Sequence, residues 1–238
     1  MDLQRLDKFI ASQIPSLSRK DVGALVRKGR VTVDGNIAKA ADMKIDADSA
    51  TVTVDGKQIT YKKHLYIMLN KPAGVVCATR DGLSETVLEL LPPELRRDGL
   101  FPAGRLDKDT VGFVLITDDG DLAHRMLSPK SHVDKEYLVD LRKPLIPEAE
   151  EIARLGMTLT DGTEVMPAEI TRLEDRQCRI VLHQGIFHQV KRMFEAMDNE
   201  VVHLKRIRIG GVLLDEHLEE GDCRELKNDE IGQICPQK

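Results

Sequence analysis

The sequence predicts an α+β protein, in which a small N-terminal α/β module precedes a larger domain with a mostly antiparallel or mixed sheet and flanking helices. Three observations lead to this prediction. The chain has 238 residues, which is long enough for two hydrophobic cores. Two helical patterns and a hairpin signal occupy the first sixty residues, and strand patterns outnumber helical ones from residue 65 onward. We therefore expect two domains, at residues 1–60 and 65–238.

The first module shows the signals of two helices followed by short strands. Apolar residues recur at helical spacing until Pro15, which ends the first helix. Ser18 is the expected N-cap of a second helix that stops at Gly29. The remaining signals are a hairpin turn at Asp34-Gly35, a strand that ends at Asp55-Gly56 and a polar linker at residues 57–64.

The rest of the chain combines apolar strand patterns with scattered amphipathic helices. The predicted strands lie at residues 65–69, 74–78, 113–117, 136–141, 168–170 and 178–183. The predicted helices lie at residues 84–91, 120–127, 147–155 and 188–197. Because strands outnumber helices and the helices are scattered, we expect an antiparallel or mixed sheet.

Composition and motifs exclude several classes of protein. Hydrophobic residues make up 41% of the chain, as in a packed globular protein, and no apolar run approaches the roughly 20 residues of a membrane span. The N-terminus lacks the apolar stretch of a secretory signal, so we expect a cytoplasmic protein. The spacing of Cys77, Cys178, Cys223 and Cys235 suits neither a zinc site nor a disulfide framework. Glycine-rich nucleotide motifs are also missing, which argues against a dinucleotide or P-loop site.

The charge is distributed unevenly along the chain. The net charge is −5, yet residues 1–44 carry nine basic and five acidic side chains. Residues 215–238 carry eight acidic and three basic side chains. RNA binding depends on the local potential within about 8–10 Å rather than on the total. A basic first module is therefore compatible with an RNA partner, and equally with a solvated helix face.

The tetrapeptide Arg-Leu-Asp-Lys occurs twice, at residues 5–8 and 105–108. Asp7 falls near the start of an amphipathic helix, where the helix dipole favours a carboxylate, so we expect it to be structural. Asp107 falls on a glycine-containing loop that leads into an apolar strand, which is a typical position for a catalytic group. An Asx-turn that shapes the loop fits the same pattern, and spacing alone leaves both interpretations open.

A second informative segment spans residues 185–211. As a helix, its first half places Val190, Phe194 and Met197 on an inward face. The segment also contains five basic residues suited to phosphate contacts, namely Lys191, Arg192, Lys205, Arg206 and Arg208. A salt-bridged surface helix followed by an ordinary edge strand would produce the same composition.

Five segments together resemble the pseudouridine synthases. Residues 104–120 resemble the catalytic motif of that family, an Arg-Leu-Asp followed by a Thr and a Gly, although Val111 replaces the small hydroxyl residue usual in this branch. Residues 185–211 resemble its C-terminal motif with His-Gln-Val and basic residues. Residues 70–74 resemble its Asn-Lys-Pro-x-Gly segment, and residues 135–137 match the position of the family tyrosine. The first sixty residues resemble the RNA-binding domain named after ribosomal protein S4, and the order of the pieces is that of the RsuA-type branch.

The resemblance implies an RNA-modifying isomerase that needs neither cofactor nor metal. It assigns the catalytic carboxylate to Asp107, which Lys191 would pair with and keep ionised. The target base would flip out of its stack onto the ring of Tyr137, and Arg105 would hold the displaced backbone. The implied substrate-binding residues are Arg105, Tyr137, Lys191 and Leu204. The implied RNA-binding residues are Arg5, Arg19, Arg27, Lys28, Arg30 and Arg192.

The resemblance also bears on which RNA is the substrate. Lys191, where other branches carry Arg, and the acidic tail after Asp215 resemble the small-subunit group, which predicts 16S rRNA as the partner. The substrate would be free RNA or a pre-30S ribonucleoprotein, bound by a monomer away from any membrane. The alternatives are the same chemistry on 23S rRNA or tRNA, or a catalytically silent S4-type ribosome assembly protein. The intact Arg105-Leu106-Asp107 and Lys191 argue against a silent protein.

Overall fold

The fold was taken from a computed structural model, which describes residues 2–128, 131 and 133–235. The chain divides into two compact units. The first comprises Met1–His64 with Leu91–Leu100, and the second comprises Leu65–Leu90 with Phe101–Lys238. The first unit is small, and the second is larger and contains a mixed sheet, which confirms the predicted α+β class. No helix in the described part of the chain has the length and apolar character needed to cross a lipid bilayer.

The first unit contains two helices and six short strands. The helices are α1 (Leu6–Gln13) and α2 (Arg19–Arg27), and a 3₁₀ turn lies at Pro93–Leu95. The strands are β1 (Leu3–Arg5), β2 (Val31–Val33), β3 (Asn36–Ile37), β4 (Lys44–Asp46), β5 (Val52–Val54) and β6 (Lys57–Gln58). Strands β1 and β4 form an antiparallel pair, and the other four form an antiparallel sheet in the order β3-β2-β5-β6.

Local sequence signals account for this unit. Ser18 begins α2 with a capping box, since its hydroxyl accepts from the Asp21 amide at 3.2 Å and its own amide donates to the Asp21 carboxylate at 3.0 Å. Asp34 and Gly35 have φ angles of 51° and 78°, as a tight hairpin turn requires. Asp55 and Gly56 form a second such turn, so β6 folds back on β5. The prediction of a linker from residue 57 is therefore wrong for its first two residues.

The second unit is organised around one nine-stranded mixed sheet. Its helices are α3 (Gly120–Leu127), α4 (Ala149–Leu155), α5 (Gln189–Ala196) and α6 (Asn228–Ile234). The sheet strands are β7 (Tyr66–Lys71), β8 (Phe101–Ala103), β9 (Val111–Thr117), β10 (Lys135–Leu141), β13 (Glu169–Glu174), β14 (Gln177–Leu182), β15 (Val201–Ile209), β16 (Val212–Leu213) and β17 (Cys223–Glu225). A separate hairpin pairs β11 (Met157–Thr158) with β12 (Glu164–Val165). The main order is β13-β14-β10-β15-β9-β7-β17, with β16 beside β15 and β8 beside β9.

Two strands at the centre of this sheet are parallel. Strands β9 and β15 pair through Val111 with Lys205 and through Gly112 with Arg206, whereas the other pairings in the sheet are antiparallel. Gly112 has a φ of +101°, and a Cβ at this position would lie 2.3 Å from the Arg206 carbonyl oxygen. Only glycine allows this approach. The pairing joins the strand that follows the Asp107 loop to the strand that contains Leu204.

Two predicted elements of the second unit are wrong. The strand predicted at residues 74–78 is reduced to one isolated bridge between Val76 and Thr86, because Gly74 turns the chain with a φ of +87°. The helix predicted at residues 84–91 is absent. There residues 87–90 form only a turn, in which the Glu89 amide donates to the Thr86 carbonyl at 3.1 Å. The following Pro92 and Pro93 cannot extend it, because proline has no amide hydrogen. The other predicted strands and helices are confirmed within a few residues at their ends.

Candidate active site

The loop between β8 and β9 holds Asp107 at the edge of a cavity. Gly104 begins the loop with a φ of +91°. Leu106 is buried and its amide donates to Cys77 Sγ at 3.3 Å, so the neighbouring residue is directed outward. The Thr110 amide then donates to the Asp107 carbonyl at 3.1 Å and closes a turn. The side chain of Asp107 is 27% exposed at the end of this turn.

Two basic side chains from the C-terminal segment each approach a different oxygen of the Asp107 carboxylate. His188 Nε2 lies 3.3 Å from Oδ1, and Lys191 Nζ lies 3.4 Å from Oδ2. Both come from the start of α5, whose residues Val190 and Phe194 are buried and fix the helix orientation. The predicted proximity of Asp107 and Lys191 is thus present in the structure, although 84 residues separate them in sequence.

Asp109 is a second partner of Lys191 that the sequence did not reveal. Lys191 Nζ donates to the two Asp109 carboxylate oxygens at 2.6 and 2.9 Å, which is closer than its approach to Asp107. This hydrogen bond holds the pKa of Asp109 below its ordinary value. Lys191 is therefore shared between two carboxylates. The available signal was a second carboxylate two residues after Asp107 in the same loop.

A buried lysine supports the loop from inside the protein. Lys71 is completely buried, and its ammonium donates to the carbonyls of Pro72 at 2.9 Å, Lys108 at 3.2 Å and Thr110 at 2.8 Å. Burial lowers the pKa of Lys71. Gly74 adds a backbone bond to the Lys108 carbonyl at 2.8 Å. The segment that resembles the Asn-Lys-Pro-x-Gly motif therefore fixes the backbone on the C-terminal side of Asp107.

The remaining predicted substrate-binding residues line the same cavity, whose volume is about 770 Å³. Arg105 is exposed and makes no hydrogen bond or ion pair with the described part of the chain. Tyr137 is half-buried, and Leu204 is 6% exposed within the core. Phe187 forms part of the wall with 70% of its surface exposed, and its ring stacks on that of His188 at a centroid distance of 3.7 Å.

Much of the basic character of residues 185–211 is neutralised within the protein. Arg192 bonds to Asp161, and Arg208 Nε bonds to the Glu136 carboxylate at 2.6 Å. Arg206 is buried rather than exposed to a phosphate. The salt-bridged interpretation thus fits Arg192 and Arg208, whereas RNA contact by Arg192 stays a prediction.

The predicted RNA-binding residues of the first unit fall into two groups. Three are paired with carboxylates: Arg5 and Arg19 contact the buried Asp7 at 3.0 and 2.9 Å, and Arg30 pairs with Asp55. Arg27 and Lys28 are exposed and have no side-chain partner in the described ranges. Burial raises the pKa of Asp7, but the hydrogen bonds from Arg5 and Arg19 outweigh it, so the net shift is downward.

Neither a clustered metal-ligand set nor a disulfide lies in the described residues. Cys77 and Cys178 are buried, and burial raises the pKa of Cys178 to about 12. Among the four cysteines, Cys77 contributes to the cavity wall.

Comparison with known families identifies the class of protein. The RNA pseudouridylate synthase family model matches residues 65–196, and the S4 domain model matches residues 4–49. The first match covers the Asp107 loop and the cavity-lining residues other than Leu204 and Arg206. The chain belongs to the RNA pseudouridine synthase family, in its RsuA-type branch, and is an RNA-modifying isomerase with an S4 domain.

Relatives match nearly the whole chain. An uncharacterized RNA pseudouridine synthase, YtzG of Bacillus subtilis, is 44% identical over 231 residues, which cover 95% of this chain and 96% of the relative. Ribosomal small subunit pseudouridine synthase A of Escherichia coli K12 is 42% identical over 232 residues, which cover 97% and 99%. A crystal structure of a pseudouridylate synthase matches with a TM-score of 0.69 and 38% identity, over 97% of this chain and 99% of that one.

Proposed function

We propose that this chain isomerises a specific uridine of 16S rRNA to pseudouridine, with Asp107 as the catalytic carboxylate. The observation that carries the proposal is the setting of Asp107, which lies beside a cavity of about 770 Å³ with His188 and Lys191 next to its two oxygens. Similarity to the small-subunit enzyme of E. coli along nearly the full chain supports 16S rRNA as the substrate.

In the proposed reaction the N1–C1′ bond of uridine breaks, the uracil turns, and C5 joins C1′. Asp107 acts at the ribose in its ionised form, which the ammonium of Lys191 favours. Two routes are compatible with the geometry. Either a carboxylate oxygen attacks C1′ as N1 leaves, or the carboxylate removes the C2′ proton as N1 leaves.

The uridine has to leave its stack before it can enter the cavity, which costs a few kcal/mol. The ring of Tyr137 offers a face to the flipped base, and such stacking contributes roughly 1–3 kcal/mol. Leu204 packs against the base from the core side. Arg105, which is exposed at the cavity, contacts a phosphate of the displaced backbone.

The division of labour follows the predicted domains. Residues 1–60 form the RNA-binding domain and residues 65–238 the catalytic domain. The exposed Arg27 and Lys28 bind phosphates of helical RNA, and Arg5, Arg19 and Arg30 of the same unit add further phosphate contacts. The protein acts as a monomer, on free 16S rRNA or on a pre-30S particle.

The test is to map pseudouridines in 16S rRNA, 23S rRNA and tRNA from cells with and without the gene. We expect one 16S pseudouridine to disappear, to return with the wild-type gene, and to stay absent with D107N. A site lost only from 23S rRNA or tRNA would overturn the choice of RNA. Unchanged pseudouridines together with defective subunit assembly would favour an S4-type assembly protein instead.

A further inference from the structure

We infer that the buried Arg206 guanidinium stabilises the negative charge on the uracil ring once the N1–C1′ bond has broken. The inference rests on the proposed function, because it concerns the same reaction in the same cavity. It applies to both routes at the ribose, since in each the bonding electron pair leaves with N1 and the detached uracil is an anion. The pair returns to a bond when C5 joins C1′, and the C5 proton is then lost while N1 regains one.

Arg206 lies where a flipped base would be bound. It lines the cavity, is 4% exposed and stands opposite Tyr137 in the register of β10 and β15. Its Nη1 donates to the Tyr137 hydroxyl at 3.5 Å, and its Cζ lies 6.0 Å from the centroid of the tyrosine ring. A uracil stacked on Tyr137 is therefore within electrostatic reach of the guanidinium.

The charge of Arg206 has no counter-ion in the described part of the protein. No carboxylate of those residues forms an ion pair with it, and its strongest bond goes from Nε to the Phe113 carbonyl at 2.7 Å. Its Nη2 is buried without a hydrogen-bond partner. A buried cation is costly unless a charge of opposite sign compensates it. An anion that forms only during the reaction would supply that compensation.

Neighbouring polar groups favour the same occupant. Lys135 also lines the cavity, and burial together with repulsion from Arg206 lowers its pKa to about 8. Thr110, which directly precedes β9, also lines the cavity, and its hydroxyl is buried without a hydrogen-bond partner in the described residues. A uracil ring carries carbonyl and N–H groups that suit such a wall, and its anion suits the positive potential.

Arg208 shows what a structural arginine on this strand looks like. It lies two residues after Arg206 on β15, and it bonds to Glu136 at 2.6 Å, to Asp134 at 3.4 Å and to the Gly210 carbonyl at 2.6 Å. Its charge is fully paired within the protein. The unpaired charge of Arg206 is therefore not a general property of the strand, and a fixed charge aimed at developing charge is an effective catalytic device.

The experiment compares two target nucleotides in single-turnover reactions at saturating RNA. One RNA carries uridine at the target position and the other carries 5-fluorouridine, whose fluorine withdraws electrons and makes the base a better leaving group. The measured quantity is the rate at which the N-nucleoside disappears. We expect R206M to lower the rate with the uridine RNA at least about 100-fold and the rate with the 5-fluorouridine RNA much less. The rates of R206K should lie between those of R206M and wild type.

Arg208→Met is the matched control, and any loss of rate that it causes should be the same with both RNAs. If R206M slowed both RNAs by the same factor while remaining folded in thermal unfolding, Arg206 would be a positioning residue for Tyr137, and the inference would be overturned. Tyr137→Phe, which removes only the hydroxyl contact, should then reproduce that loss. R206Q replaces R206M if the latter does not fold. A wild-type protein without isomerase activity on any RNA would instead remove the proposed function.

Discussion

The two Arg-Leu-Asp-Lys tetrapeptides place the same four side chains in opposite circumstances. In the first unit, Arg5 bonds to Asp7 within the tetrapeptide at 3.0 Å, Arg19 adds a second bond, and the carboxylate is 8% exposed. In the second unit, Arg105 makes no bond to Asp107, and the carboxylate is 27% exposed beside a cavity. Its neighbours His188 and Lys191 lie 3.3 and 3.4 Å from its oxygens.

The difference shows that identity of sequence does not confer identity of role. Asp7 is saturated by hydrogen bonds on a helix, so nothing remains for it to bind. Asp107 lies on a loop whose backbone is fixed by Lys71, and its carboxylate is partly exposed beside a cavity. Each carboxylate has two basic side chains beside it, but the distances to them and the exposure of the carboxylate differ.

The largest difference in activity between variants of the two carboxylates should come from Asp107→Asn. Because Asp107 is the proposed catalytic carboxylate, its loss should lower the single-turnover rate by on the order of 10⁴-fold, with RNA affinity within a few-fold of wild type. Quench-flow with tritium release from C5 would measure the rate, and filter binding would measure affinity. A D107N protein that isomerises uridine at a rate near that of the wild type would move the active site elsewhere.

Lys191 should come next, since it separates the roles of the two carboxylates that it contacts. Lys191→Ala should slow the chemical step by about 100-fold, because the Asp107 carboxylate loses its cationic neighbour. Lys191→Arg should be milder, because the charge persists with altered geometry. Asp109→Asn is the companion variant and should cost less than tenfold. The measurement is the single-turnover rate between pH 5 and 8. If Asp109→Asn were slower than Lys191→Ala, Asp109 rather than Asp107 would be the main partner of Lys191.

The buried support of the Asp107 loop should appear in stability. Lys71→Met removes the ammonium donor from the carbonyls of Pro72 and Thr110 and one of the two donors from that of Lys108. The free energy of unfolding should therefore fall by about 3 kcal/mol, and the isomerisation rate should fall with it. Urea unfolding followed by circular dichroism gives the first quantity. The control is Lys108→Met, whose exposed ammonium contacts only the Ser84 hydroxyl at 3.0 Å. Equal stability of both variants would remove Lys71 as the support.

The smallest effect belongs to Asp7→Asn, which should lower stability by about 1–2 kcal/mol and leave the chemical step unchanged. The pKa of Asp7 is lowered in the folded protein, so its contribution is complete at neutral pH and is lost as the pH falls below about 4. The difference in melting temperature between wild type and Asp7→Asn should therefore shrink from pH 6 to pH 3. A difference that is constant over this range would contradict the ionic role.

Periodicity and capping predicted those parts of the fold that neighbouring residues determine. Helix α2 between Ser18 and Gly29 and the turn at Asp34-Gly35 are examples. The helix expected at residues 84–91 is only a turn, because Pro92 and Pro93 directly after it lack the amide hydrogens that would extend it. Family resemblance predicted that Asp107 and Lys191 lie together, and their side chains are 3.4 Å apart. It did not anticipate Asp109, His188 or Arg206, whose contacts depend on the sheet order that brings residues some 80 positions apart together.

Gly112 makes the second unit unusually sensitive at one point. The parallel contact between β9 and β15 rests on two residue pairs, and one of them has no room for a Cβ. Any side chain there pushes apart the strand that extends the Asp107 loop and the strand that contains Leu204 and Arg206. In a saturation library selected for pseudouridine formation, position 112 should tolerate glycine alone, while the exposed Gly120 accepts many residues, since nothing lies within 4 Å of its added Cβ. For directed evolution towards other RNAs, this contact marks the part of the scaffold that must be left unaltered while the surrounding loops are varied.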